Sequence, residues 1–216
     1  MRGFDRIKLM RTVTDGATAL GLKCSESQIV SLIDYLALLS KWNAVYNLTA
    51  VRDPEQMVTQ HLLDSMSAVP AFAAAKNVLD VGAGGGLPGL VLAILRPDMQ
   101  VSLIDTVHKK TAFLTQVKAE LGLANVTVHT ARVEQLQLEK KFDVITSRAF
   151  AELADFVNWS AHLLEQGGQF IAMKGVNPQQ EMACLPAGWT VKEVRALHVP
   201  GMQAERHLIF IERAAA

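Results

Sequence analysis

The stretch LDVGAGGGLPGL, residues 79–90, is the most informative segment of the sequence. A short apolar run and an acidic residue are followed by five glycines within eight positions. Glycine adopts positive φ angles and lets backbone N–H groups approach a ligand closely. Because a plain connection between a strand and a helix needs one glycine and not five, the stretch predicts a strand, a ligand-binding turn and a helix.

The sequence on either side of this turn has an alternating pattern. From about residue 77, short apolar runs alternate with longer amphipathic segments, which predicts βαβ units and a parallel sheet with helices on both faces. The predicted strands are NVLDVG, MQVSLID, NVTVHT, FDVITS and GQFIAMK, and the predicted helices are PGLVLAIL, KKTAFLTQVKAEL and ELADFVNWSAHLL. Two further strand-like runs, residues 189–199 and 206–213, are joined by a loop too short for a crossover helix, so they should pair antiparallel.

This layout predicts an α/β fold of the Rossmann-like class I methyltransferase type. The mostly parallel sheet would have seven strands and end in an antiparallel hairpin. Residues before about 70 are predicted to form helices, because Ser25 and Gln28 resemble a capping box and Asp53 precedes Pro54 at a helix start. We therefore predict a helical extension over residues 1–70 and a methyltransferase domain over residues 71–216.

Composition narrows the class of protein. Half of the 216 residues are hydrophobic, but no run reaches the roughly 18 apolar residues of a membrane span. The first residues, MRGFDRIKLMR, lack the apolar stretch of a signal peptide, so we expect a cytoplasmic protein that contacts no membrane. Cys24 and Cys184 show no metal-ligand spacing, so we expect two buried thiols and no metal.

The charge balance argues against a protein that coats nucleic acid through bulk charge. Lys and Arg together number 21, as do Asp and Glu. Local basic clusters remain as weak signals for an RNA contact, since such runs are more often solvated surface. They are Arg2, Arg6, Lys8 and Arg11 in one segment, and His108, Lys109 and Lys110 in another.

The glycine pattern alone leaves two ligands open. Gly84, Gly86 and Gly89 fit the dinucleotide pattern G-x-G-x-x-G, whereas Gly82, Gly84 and Gly86 fit the G-x-G-x-G common in S-adenosylmethionine enzymes. Asp105 stands 23 residues after Gly82, the spacing of an acidic residue that meets ribose hydroxyls, and this disfavours NADP. A helix-capping role is the alternative for Asp105. Only residues 148–216 follow FDVITS, which leaves no room for the substrate domain of a dehydrogenase and favours the methyl donor.

Several separated motifs together resemble one known family. These are KWNAVYNLTAVRDP, HLLDSMS, LDVGAGGGLPG, RVE and VITSRAF with AMKG, and the resemblance runs from about residue 30 to the end. They are similar to the bacterial ribosomal small subunit methyltransferase G family, also called glucose-inhibited division protein B. Met66 replaces the more usual leucine or isoleucine, a swap of similar volume. The resemblance implies methyl transfer from S-adenosylmethionine to N7 of a guanine in the 530 loop of 16S rRNA, guanine 527 in the usual rRNA numbering. S-adenosylhomocysteine would be the other product.

The resemblance and the glycine turn together predict a donor site. We expect a monomer whose partner is 16S rRNA or the small ribosomal subunit. In an open parallel sheet, ligands bind beyond the carboxyl ends of the strands, where Gly82, Asp105, Arg148 and Lys174 are all predicted to lie. The family implies donor contacts at Gly82, Leu87, Val133, Glu134 and Arg148, and the residue pattern adds Gly84, Gly86 and Asp105.

The chemistry of N7 methylation limits what these residues must do. The N7 lone pair carries no proton, so no general base is needed and catalysis consists mostly of positioning. The sequence fits this, because Ser147-Arg148-Ala149 stands where amino-group methyltransferases carry an acidic or amide residue and Pro-Pro. A guanidinium repels a sulfonium, so Arg148 should face an anion, either the donor's carboxylate or an RNA phosphate. A structural salt bridge is its alternative role.

The remaining site predictions concern the RNA. The family's N-L-T and H-x-x-D-S motifs imply that Asn47, His61 and Asp64 face the target base, although Asn43, Asn47 and Thr49 could also serve only as caps or turns. Lys174 is a candidate phosphate contact, and Arg132 and Arg206 would contact RNA or brace the site. Two other functions stay open at this point, a small-molecule methyltransferase and a donor-binding protein that chaperones RNA without activity.

Overall fold

The computed structural model describes residues 3–214, and their helices and strands follow the predicted alternation. The main helices and strands are α1 Arg6–Ala19, α2 Glu26–Tyr46, α3 Pro54–Met57, α4 Asp64–Ala68, β1 Asn77–Val81, α5 Gly89–Leu95, β2 Gln100–Asp105, α6 His108–Glu120, β3 Val126–Thr130, β4 Phe142–Arg148, α7 Leu153–Ser160, β5 Leu164–Lys174, α8 Gln179–Ala183, β6 Trp189–Ala196 and β7 His207–Arg213. A π-helix, Val58–Leu63, joins α3 to α4, and short 3₁₀ turns cover Val69–Phe72, Val133–Gln135 and Ala161–Leu163.

The seven strands form one sheet in the order β3-β2-β1-β4-β5-β7-β6. Strands β1 to β5 are parallel, and β7 pairs antiparallel with both β5 and β6. The prediction of a mostly parallel seven-stranded sheet with an antiparallel hairpin is therefore confirmed. Because the first five strands are parallel, their carboxyl ends meet at one edge, and the connecting turns converge there.

Alternate residues of the central strands supply two hydrophobic cores, one on each face of the sheet. In β1, Val78 belongs to the core shared with α5, α6 and the helical extension, whereas Leu79 and Val81 belong to the core beneath α7. Leu32 and Leu36 of α2 are fully buried in the first core. The extension therefore packs on the sheet through one continuous core. The boundary at residue 70 stays a prediction.

The predicted helix starts are confirmed. Ser25 and Gln28 form a capping box at α2, and the Asp53 side chain caps α3, whose first residue is Pro54. One expectation is wrong: Cys184 is an exposed free thiol, and Cys24 is only half-buried. The reason is that α8, which ends just before Cys184, contributes no buried residue to either core.

Candidate active site

The turns after four parallel strands form the candidate site. Gly82 directly follows β1, Asp105 ends β2, Arg148 ends β4 and Lys174 ends β5. The structure therefore places these four predicted site residues at the same edge of the sheet. A fifth segment, residues 131–134, follows β3 and reaches the same edge.

The glycine turn needs its glycines for different reasons. Gly82, Gly84 and Gly86 all have positive φ, at 67°, 54° and 91°. A Cβ on Gly82 would lie 2.4 Å from the Phe150 ring, and one on Gly86 would lie 2.3 Å from the Leu90 side chain, whereas a Cβ on Gly84 would meet nothing closer than 3.7 Å. Gly82 thus allows the turn after β1 to touch the turn after β4, while Gly86 allows close packing against α5 and lines neither of the two cavities described next.

A first cavity of about 390 Å³ opens between the turns after β1, β2 and β3. Its walls combine polar and apolar groups and include the rings of Phe150 and Trp159, which pack edge to face with centroids 5.8 Å apart. Asp105, Lys110 and Glu134 supply polar groups, and Gly82, Arg132 and Val133 complete the predicted residues that line it. A cleft that offers aromatic rings beside charged and polar groups suits a flat heterocycle joined to a sugar.

Asp105 also organises the glycine turn. Its buried carboxylate accepts hydrogen bonds from the backbone N–H groups of Gly84 at 3.0 Å and Val107 at 2.9 Å. The Lys110 ammonium lies 3.5 Å away. A carboxylate has about four lone-pair positions, so Asp105 retains capacity for ribose hydroxyls. That contact stays a prediction.

A second cavity of about 540 Å³ adjoins the first. The two cavities share Gly82, Lys110 and Ala149 in their walls. The second cavity brings together residues from the helical extension, the glycine turn, the end of β4 and the start of β7. The predicted residues that line it are His61, Asp64, Gly82, Gly84, Leu87, Arg148, Lys174 and Arg206.

The backbone at Ala149 separates the two cavities. Ala149 is a non-glycine residue with a positive φ of 53°, a conformation that persists where the surrounding structure enforces it. On one side of it, Arg148 lines the second cavity, and on the other, Phe150 lines the first. The left-handed turn therefore places the side chains on either side of Ala149 in different cavities.

Arg148 forms an ion pair within the second cavity. Its Nη1 donates to the Asp64 carboxylate at 2.9 Å and to the Gln60 carbonyl at 3.1 Å. The other oxygen of Asp64 accepts from the Arg206 Nε at 2.8 Å. The salt bridge considered as the alternative for Arg148 is thus present, and it joins β4 to the extension and to the start of β7.

His61 lies on the π-helix and is buried in the wall of the second cavity. Its Nε2 and the Thr49 hydroxyl lie 2.9 Å apart and share a hydrogen bond, while its Nδ1 has no hydrogen-bond partner within residues 3–214. Burial, followed by the positive charge of Arg148, lowers the pKa of His61 to about 4. At neutral pH, His61 therefore presents an uncharged imidazole. π-Helical turns often occur at functional sites.

Other predicted site residues occupy different positions. Lys174 donates to Glu181 at 2.7 Å and to the Ala151 carbonyl at 2.9 Å, so its charge is already paired. Arg132 is exposed at the rim of the first cavity, 3.9 Å from Glu134.

Asn47 caps the end of α2 in a left-handed conformation and accepts a hydrogen bond from Arg52. Asn47 lines neither cavity. The nearby Asn43 is buried and braces the loop, since it accepts from the Thr49 N–H and donates to the Val51 carbonyl.

The basic segment at the start of the chain does not form a free positive patch in the described residues. Arg6 pairs with Asp34, Lys8 with Glu55, and Arg11 lies 3.9 Å from Asp15. Arg2 lies outside the described residues. The two arginines that line the second cavity, Arg148 and Arg206, are also paired with an acidic residue, but each keeps N–H groups without an acceptor in the described residues.

Two residues that sequence reasoning did not assign support the glycine turn from below. The Tyr35 hydroxyl, on α2, donates to the Gly85 carbonyl at 2.7 Å. Asp80 is completely buried and accepts from the Gly89 N–H at 2.8 Å, and its other oxygen has no partner within residues 3–214. Burial raises the pKa of Asp80 to about 7, although the Gly89 hydrogen bond opposes the shift. The acidic residue in the quoted stretch was a signal for Asp80; nothing in the sequence marks Tyr35.

Asp80 makes the stability of the protein pH-dependent. Its folded-state pKa is raised, so its contribution to stability is present at low pH and is lost as the pH rises toward 7. The buried His61 acts in the opposite direction below pH 6.5. Replacing Asp80 with asparagine removes the first effect. The difference in the free energy of unfolding, variant minus wild type, should therefore be about 2 kcal/mol more favourable to the variant at pH 8 than at pH 5. Urea denaturation at several pH values measures this, and Asp155→Asn, at an exposed position of α7, is the surface control. A difference that does not vary with pH would show that Asp80 is ionised throughout.

Within residues 3–214, no three His, Cys, Asp or Glu side chains are grouped so that they could hold a metal ion. Nor does this part of the chain contain a helix with the length and apolar character needed to cross a membrane.

Comparison with known proteins settles the family. A family model described as rRNA small subunit methyltransferase G matches residues 28–209. The chain belongs to this family. Proteins named ribosomal RNA small subunit methyltransferase G are similar over nearly their whole length: the one from Herminiimonas arsenicoxydans is 73% identical over 99% of this chain and 100% of its own, and the one from Janthinobacterium sp. (strain Marseille) is 70% identical over 99% of both.

Solved structures share the fold of this methyltransferase family member at low sequence identity. The mitomycin 7-O-methyltransferase MmcR has a TM-score of 0.62 and 14% identity, and the match covers 83% of this chain and 60% of that one. N-methyltransferase NodS from Bradyrhizobium japonicum WM9, in complex with S-adenosyl-L-homocysteine, has a TM-score of 0.56 and 11% identity over 82% of this chain and 100% of its own. These likenesses confirm the class I methyltransferase fold.

Proposed function

We propose that this chain transfers a methyl group from S-adenosylmethionine to N7 of a guanine in the 530 loop of 16S rRNA, guanine 527 in the usual rRNA numbering. The observation that carries the proposal is the pair of adjoining cavities, which meet at Gly82, Lys110 and Ala149. One cavity suits a nucleoside and the other carries arginines and a neutral imidazole. Two ligands bound side by side at this junction could react directly.

The first cavity fits the adenosine part of the donor. Phe150 and Trp159 offer aromatic surface for a base, and Asp105 is placed to accept from ribose hydroxyls. Val133 and Glu134, in the turn after β3, also line this cavity, and Gly82 and Leu87 extend the site toward the second cavity. When bound, the donor supplies an electrophilic methyl group on a sulfonium.

The second cavity would hold the target guanine. His61 offers an uncharged ring, which suits a base edge and adds no positive charge near a sulfonium. Arg206 and Arg132 would face RNA phosphates, and Lys174, whose charge is paired with Glu181, would offer its one remaining N–H donor. Asn47, at the end of α2, would reach the RNA from outside the cavity. We further propose that the enzyme acts as a monomer in the cytoplasm and needs no metal.

Direct product analysis tests this function. The purified protein, tritiated donor and unmodified small-subunit RNA should yield labelled RNA whose modified guanine is cleaved after borohydride and aniline treatment. The same RNA supplied as free rRNA and as assembled subunit identifies the accepted form. Label in small metabolites only would support a small-molecule methyltransferase, and RNA binding without label would support a chaperone.

The pH dependence of the rate tests the mechanism. Because N7 loses no proton and His61 has a pKa of about 4, the single-turnover rate should be nearly flat between about pH 6.5 and 9. Asp80 ionises within this pH range and could change the affinity for the donor. The rate is therefore measured at saturating donor, where affinity does not affect it. The Asp80→Asn variant should give the same flat profile. A rate that rises tenfold per pH unit in both proteins would indicate a nucleophile that must lose a proton, and N7 would then not be the acceptor.

A further inference from the structure

A single buried carboxylate joins the two arginines of the second cavity. The Asp64 side chain is 2% exposed, and its oxygens accept from Arg148 at 2.9 Å and from Arg206 at 2.8 Å. The two arginine side chains are 22% and 26% exposed. The three groups carry a net charge of +1 and lie in the wall of a cavity, which is an arrangement suited to anions.

The arginines retain donors for those anions. Within residues 3–214, only Nη1 of Arg148 donates a hydrogen bond, and Arg206 uses its Nε and Nη1. The remaining N–H groups of both guanidiniums have no acceptor in this part of the chain. The Asp64 side chain, by contrast, is almost completely buried and each of its oxygens accepts from an arginine, so we expect it to act on a ligand through the arginines.

We propose that Asp64 is a positioning residue that couples the two substrates, aiming Arg148 at the carboxylate of the methyl donor and Arg206 at a phosphate of the RNA. The inference rests on the proposed function. Arg148 is assigned to the donor because it precedes Ala149, which lies where the two cavities meet. Arg206 is assigned to the RNA because it directly precedes β7 and follows the exposed Glu205 at the surface of the protein.

Charge alone and positioning predict opposite results for Asp64→Asn. The substitution removes one negative charge from the cavity, so a purely electrostatic effect would tighten the binding of both anionic groups. The positioning role predicts weaker binding, because an asparagine side chain accepts with one oxygen and points an NH₂ group at the other arginine. The direction of the change therefore separates the two explanations.

The experiment measures binding and not turnover. Affinity for S-adenosylhomocysteine is measured by calorimetry, and affinity for unmodified small ribosomal subunits is measured over a range of salt concentrations, with and without S-adenosylhomocysteine. In wild type, S-adenosylhomocysteine should tighten subunit binding by about fivefold. In Asp64→Asn, both affinities should fall about tenfold, this coupling should disappear, and the salt slope should decrease by about one phosphate contact. Asp98→Asn, an exposed partner of Arg96, is the matched control and should change neither affinity.

A second variant keeps the test decisive if Asp64→Asn does not fold. Arg206→Gln leaves the Asp64–Arg148 pair in place, and it should weaken subunit binding while donor affinity stays within about twofold. Equal losses of both affinities in Arg206→Gln, tighter binding in Asp64→Asn, or no coupling in wild type would each overturn the proposal. Failure of the proposed function is distinguishable, because it would appear as absent N7-methylguanine with the wild-type protein.

Discussion

Replacing Gly82 with alanine should weaken S-adenosylmethionine binding by about a hundredfold, because the substitution forces the two central turns apart. Gly82 has a φ of 67°, and a Cβ there would lie 2.4 Å from the Phe150 ring, which forms part of the wall of the first cavity. The ring or the turn must move to make room. Either movement changes the shape of the donor site at the point where it meets the second cavity.

Gly21→Ala provides the matched control for this experiment. Gly21, between α1 and α2, also has a positive φ, 70°, so alanine there bears a similar left-handed strain of about 1 kcal/mol. Its Cβ, however, would have no neighbour within 4 Å, and Gly21 lines neither cavity. Calorimetry with the donor should therefore separate the two variants, with thermal unfolding as the check on folding. Similar affinities in both would show that contact between the turns does not shape the site.

Replacing Arg148 with alanine should raise the dissociation constant of the donor and lower the single-turnover rate. The ratio of the rate to the dissociation constant should fall by about a hundredfold. The variant loses a guanidinium at the junction of the cavities and leaves the buried Asp64 with Arg206 alone. Removing one partner of a buried ion pair costs about 3–5 kcal/mol, so the protein should also be less stable. Arg148→Lys keeps the charge without the planar fork and should recover only part of the loss.

The control for Arg148 is an arginine outside the site. Arg195, on β6, pairs with Glu193 and lines neither cavity, so Arg195→Ala should leave donor affinity and rate unchanged. Donor affinity is measured by calorimetry and the rate at saturating donor, so that binding and transfer are separated. A folded Arg148→Ala protein with wild-type donor affinity would show that Arg148 does not contact the donor.

The local parts of the fold could be predicted from the sequence. Strand and helix positions follow from apolar periodicity, and the antiparallel hairpin follows from the short loop before β7. The edge of the sheet where the site lies follows from parallel strand direction alone. These features depend on residues within one or two elements of each other.

The ion-pair network could not be predicted in the same way. Asp64 contacts residues 84 and 142 positions away, and no local pattern encodes such a pairing. The low pKa of His61 depends on how the π-helix buries it, and the paired state of Arg6 and Lys8 depends on acids from α2 and α3. Cys184 was expected to be buried from its residue type, but α8 lies on the surface.

The hydrogen bond from Tyr35 to the Gly85 carbonyl makes the N-terminal helices part of the apparatus that holds the nucleoside. A chimaera that joins the sheet of this protein to the extension of a distant homologue would exchange that support along with the RNA-facing surface. Domain shuffling and truncation at residue 70 should therefore produce proteins that bind the cofactor more weakly as well as the RNA. In this enzyme, we therefore expect the extension and the sheet to work only as a matched pair.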